Sequence, residues 1–67
     1  MNTFYIGHNQ YRVRYFKSPL GYIKFMLDVF IHPNFINVVE HNLSNSSTED
    51  HIRQFAKSEI ERLENLK

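Results

Sequence analysis

Seven side chains in the first half of this 67-residue chain could form one recognition surface: Arg12, Arg14, Phe16, Tyr22, Lys24, Met26 and Phe30. All have even numbers. Successive side chains of a strand point to opposite sides, so within each of two strands these residues share a face. A hairpin closing through Lys17–Gly21 would set the two faces side by side. Cations interleaved with rings suit two kinds of partner. A single-stranded nucleic acid binds with its phosphates on the cations and its bases on the rings. Protein interfaces enrich the same mixture of Arg, Tyr, Phe and Met.

Reactive chemistry has little to work with. The chain has no cysteine, which removes thiol nucleophiles, disulfides and thiolate metal sites. It has no nucleophile elbow, no phosphate-cradling glycine loop and no His-Glu-x-x-His pair. His8, His32, His41 and His51 lack ligand spacing, and only His32 and His41, at the ends of one expected hairpin, could be paired by the fold. Ser44, Ser46 and Ser47 sit in a polar stretch, where capping a helix is the plain role. A non-enzymatic protein without metal or cofactor is expected.

The formal net charge of +1 hides an asymmetry. Arg12, Arg14, Lys17 and Lys24 precede the first acid, Asp28, whereas all seven acids fall from Asp28 onward. The cations are few and not clustered with glycine, as phosphate tracking would favour. A larger protein is therefore the expected partner and a nucleic acid the alternative. The longest apolar run, Phe25–Ile31, is broken by Asp28 and far shorter than the roughly 20 residues of a membrane span. With no signal peptide in view, the expected compartment is the cytoplasm. A chain this short forms one domain, 1–67, whose core supplies only about 3–5 kcal/mol. A homodimer is one way to add stability.

The elements that must position the seven residues are centred on Tyr22–Ile31. There Ile23, Phe25, Leu27, Val29 and Ile31 share one apolar face, and Tyr22, Lys24, Met26, Asp28 and Phe30 the other. Strands are expected at about 3–6, 11–16, 22–31 and 35–41, the second with Tyr11, Val13 and Tyr15 opposite Arg12, Arg14 and Phe16. Phe35–His41 alternates poorly, as a bulged or edge strand would. Asn42–Ser47 looks like a linker, and Ser46-x-x-Glu49 and Ser47-x-x-Asp50 look like capping boxes. The period then becomes helical over 48–66, with Ile52, Phe55, Ala56, Ile60, Leu63 and Leu66 on one stripe. Glu49/Arg53 and Lys57/Glu61 are spaced as i,i+4 pairs.

The expected fold class is α+β: a three- to four-stranded antiparallel meander packed on one C-terminal amphipathic helix, in two layers. The helix covers the odd-numbered face of the central strand and leaves the even-numbered face without a layer. This order of elements is similar to that of the arm-type DNA-binding domains of tyrosine recombinases, and of antitoxins with a partial double-stranded-RNA-binding fold. Tyr11-Arg12-Val13-Arg14-Tyr15 and the helix after Ser47 carry the likeness, which is one of architecture. Short, cysteine-free chains rich in Asn, Ile, Phe and Lys are of the kind that serve phages or plasmids as accessory proteins. The expected function is thus a regulator or inhibitor that docks on a larger protein and blocks it sterically.

Overall fold

The computed structural model describes residues 1–66. Four strands, β1 (Asn2–Ile6), β2 (Tyr11–Lys17), β3 (Tyr22–Ile31) and β4 (Asn34–Ser44), precede one helix, α1 (Glu49–Glu64). The strands form a single antiparallel sheet in chain order, as the meander predicts. Among the described residues no helix is long and apolar enough to cross a membrane.

The hydrophobic core lies between the helix and the odd-numbered face of β3. Val13, Ile23, Phe25 and Leu27 from the sheet pack with Ile52, Ala56 and Ile60 from the helix, and all are buried. The rings of Phe25 and Phe55 meet edge-on at 4.9 Å. Burying such side chains favours folding by about 1.5–3 kcal/mol each, so this layer holds the domain together. The core stops short of both expected stripes. Val29 is only half-buried, Ile31 is exposed at the end of β3, and Leu66 is exposed beyond the helix.

Each connection has a physical cause. Gly21 takes a φ of +91° in the β2–β3 turn, where its amide donates to the Ser18 carbonyl at 3.1 Å. Nothing would obstruct a Cβ there, so it is the backbone conformation that asks for glycine. His32 and Pro33, joined by a cis peptide, form the tight turn between the paired residues Ile31 and Asn34.

Three expectations are corrected. Asn42–Ser44 is strand and not linker, because the ladder runs on to Leu43 opposite Ile23 and Ser44 opposite Tyr22. Neither Ser46 nor Ser47 caps the helix: Thr48 does, its Oγ1 accepting from the His51 amide at 3.2 Å. Ser44 and Ser46 instead bond to one another across the preceding turn. Of the expected helix pairs Glu49–Arg53 forms at 3.5 Å, but Lys57 and Glu61 do not come within ion-pair distance, and Arg62 pairs with Glu59 at 2.9 Å.

The poor alternation of β4 has its cause in a bulge. Leu27 faces Val39 while the next residue, Asp28, faces Asn37, so Val38 is the extra residue. Before the bulge, Phe35 and Asn37 lie on the face away from the helix. After it, Val39, His41 and Leu43 turn toward the helix side, opposite Leu27, Phe25 and Ile23.

Candidate functional site

The face of the sheet away from α1 is the candidate site. Register alone assembles it. Tyr5 lies beside Arg12, Arg12 beside Asp28 and Asp28 beside Asn37; Phe16 lies beside Lys24, Arg14 beside Met26, and Phe30 beside Phe35. All seven residues expected on this face, Arg12, Arg14, Phe16, Tyr22, Lys24, Met26 and Phe30, occupy it, but they do not form one cluster. Tyr22 opens β3 and Phe30 is its penultimate residue, so nearly the whole length of the strand separates them. Phe16, Tyr22 and Lys24 stand at one end and Phe30 at the other.

Between the ends lies a polar centre built on Asp28, which is only 1% exposed. Arg14 grips it with two bonds, Nε to Oδ2 at 2.7 Å and Nη2 to Oδ1 at 3.0 Å. Arg12 donates Nε to Oδ2 at 2.8 Å, and the Asn37 amide donates to Oδ1 at 3.1 Å. Four donors thus fill the acceptor positions of one carboxylate. Burial pushes the Asp28 carboxyl up, but the bonds from Arg14, Arg12 and Asn37 outweigh it and hold the group below its ordinary 3.8. Lys24 pairs with Glu40 at 3.4 Å, a more exposed contact. The third cation of the face is therefore also matched by an acid. Met26, at 9% exposure, lies within the layer and offers a partner little surface.

At the far end the rings gather. Phe30 meets Phe35 at 5.2 Å and Phe35 meets Tyr5 at 6.0 Å, while the Arg12 guanidinium lies 4.5 Å over the Phe35 ring. With His8, Asn9 and Gln10 of the β1–β2 turn these rings line an open pocket of about 440 Å³. The turn places its two central residues, His8 and Asn9, at positive φ, as a tight hairpin of this hand requires. Asparagine and histidine are among the side chains found more often than most in that region.

Tyr5, Phe35, Asn37 and the anchoring role of Asp28 are what sequence reading missed. Tyr5 sits in β1 with the parity of Phe4–Ile6 unassigned, and the bulge hides the face of Phe35 and Asn37. An acid in the middle of a basic face was the one available signal. The histidines do not converge. His32 packs near Phe30 at the β3–β4 turn, whereas His41 stacks toward Phe55 on the helix side opposite Phe25, so the two stand far apart along the strands. Among the described residues no group of His, Asp or Glu side chains is placed to hold a metal ion. Compared with known proteins, the chain matches no family model, no curated protein and no solved structure.

Proposed function

We propose that this chain is a small non-enzymatic binding protein that docks on a larger protein through the open face of its sheet. It would act by occupying its partner's surface, as an accessory regulator or inhibitor of the phage or plasmid type does. One observation carries the preference for protein over nucleic acid: among the described residues, every cation of the face already has an acid. Arg12 and Arg14 share Asp28, and Lys24 faces Glu40. A phosphate could take only the outer nitrogens of these arginines, because the buried carboxylate already holds the Nε of each and one Nη of Arg14. A protein surface has no need of free cations, because ordered arginines and rings serve it as anchors. Phe16, Tyr22 and Phe30 supply the rings on β2 and β3, and the Asp28 network holds Arg12 and Arg14 in fixed conformations between them.

The test is affinity capture by the full chain with and without nuclease. The expected result is a protein complex that resists nuclease and weakens only modestly with salt, since steep salt dependence marks phosphate binding. Tyr22→Ala should cost about 2 kcal/mol of affinity, as interface anchors do. The helix-side change Lys57→Glu should cost nothing. A capture that nuclease abolishes would transfer the face to nucleic acid.

A further inference from the structure

We infer that the pocket of Tyr5, Phe30 and Phe35 is the anchor point of this face, and that it takes one neutral, flat, apolar side chain of a polypeptide, an aromatic ring or a proline. Resting on the docking role proposed for the face, the assignment draws on how the pocket is built and on its charge.

The pocket is formed in advance by several elements. Gln10 holds the rim to the floor twice, its carbonyl accepting from the Phe30 amide and its side-chain amide donating to the Phe30 carbonyl, both at 2.8 Å. The outer ring, Phe35, is backed by Arg12, and Arg12 is held in turn by the buried Asp28 at 2.8 Å. The rim also keeps a histidine at positive φ, where the backbone would favour glycine. His8 lines the pocket wall. The volume of the pocket falls in the lower part of the range usual for ligand sites, ample for one side chain.

Charge narrows the occupant. Among the described residues no acid lines the pocket, and Arg12 already sits on the Phe35 ring, so a cation would meet a like charge without a counter-ion. An anion gains little, because among the described residues no arginine or lysine lines the pocket. What remains is a neutral group with a flat apolar surface, which rings accept edge-on or stacked. Aromatic-lined grooves receive proline on the same footing. A nucleobase is also flat and neutral, but it brings a phosphate that no arginine or lysine of the pocket lining would receive.

The experiment is an amide-correlation NMR titration of the full chain with four probes: N-acetyl-tryptophanamide, N-acetyl-prolinamide, N-acetyl-lysinamide and adenosine monophosphate. The expected result is saturable, millimolar binding of the tryptophan or proline probe, with shifts confined to residues 5, 8–10, 30 and 35. The lysine probe should give none. Tyr5→Ala should weaken the favoured probe about threefold to tenfold, the loss of one ring contact. His8→Gly, which relaxes the turn and keeps the rings, should fold normally and also weaken it. Absence of confined shifts with both neutral probes overturns the assignment. So does equal binding of the lysine probe, nucleotide binding that moves Arg12 and Arg14, or unchanged affinity in both variants. Partner capture that survives loss of the pocket would remove the anchor alone, whereas capture indifferent to Tyr22→Ala would remove the docking face itself.

Discussion

Replacing Arg14 by alanine should destabilise the protein more than removing the charge of Asp28 itself. The asymmetry comes from burial. Asp28 is 1% exposed, while the side chains of Arg12 and Arg14 each keep 29% of their surface. Arg14→Ala takes two of the four bonds to the carboxylate and leaves it buried with Arg12 and Asn37. Stranding a buried charge costs about 3–5 kcal/mol, and the partial solvation of the arginine places this case near the lower end. Asp28→Asn leaves two guanidinium groups that can turn to water. Its cost is that of lost charge-assisted bonds, about 1.5–3 kcal/mol. Arg12→Ala removes one bond and should stand closer to about 1.5 kcal/mol. Replacing all three charges together, as Arg12→Met, Asp28→Leu and Arg14→Met, should leave a folded protein, because well-packed apolar groups often match or exceed a buried ionic cluster. Urea titrations at neutral pH rank the four proteins. Acid supplies an independent check: in Arg14→Ala the upward push of burial on Asp28 is less opposed, so the carboxyl protonates more readily and the deficit against wild type should shrink as pH falls. If Arg14→Ala lies within about 0.5 kcal/mol of wild type, an ordinary surface result, the network does not hold the sheet as described. An unfolded triple variant would show that the charges are needed to specify the structure.

The remaining expectations follow from single contacts. Phe25→Ala removes a fully buried ring packed on Phe55 and should cost about 3–5 kcal/mol, enough to unfold so small a domain; a cooperative melt near the wild-type temperature would contradict that placement. Thr48→Ala should lose about 1 kcal/mol in urea, while Ser46→Ala and Ser47→Ala lose far less, and the reverse order would move the cap. Because the folded pKa of Asp28 lies below its ordinary value, its contribution is present above about pH 4 and is lost as pH falls through the folded value. Stability measured from pH 7 downward should therefore hold to about pH 4 and then decline, and the decline should be smaller in the triple variant.

The sequence alone determined the layer that makes the fold. Period-two alternation in Tyr22–Ile31 and the three-and-four spacing from Ile52 to Leu63 are local patterns, and each marks its buried side without knowledge of the rest of the chain. Since only one large apolar strand face existed for the helix to cover, their packing followed. The same alternation placed Arg12, Arg14, Lys24 and Phe30 together on the opposite side. What the tertiary structure decided was whatever depends on register. The bulge at Val38 shifts the phase of β4 by one residue, and a shift of one moves every later side chain to the other face. The poor alternation of Phe35–His41 hints at a bulge, but its place is defined only against Leu27 and Asp28 of the neighbouring strand. The tight turn at His32 and Pro33 sets Phe35 against Phe30 and Asn37 against Asp28, and the bulge then turns Val39, His41 and Leu43 to the helix side. Likewise Asp28 looks like one polar residue on a wet face until pairing brings residues 14 and 16 positions earlier within hydrogen-bond reach. The cap moved to Thr48 for a kindred reason: β4 is extended through Ser44 by pairing with β3, so the helix starts after the turn that the serines close among themselves. Local periodicity fixes which side of an element is apolar; the partner strand fixes which residues meet, because hydrogen-bond register is a property of the pair.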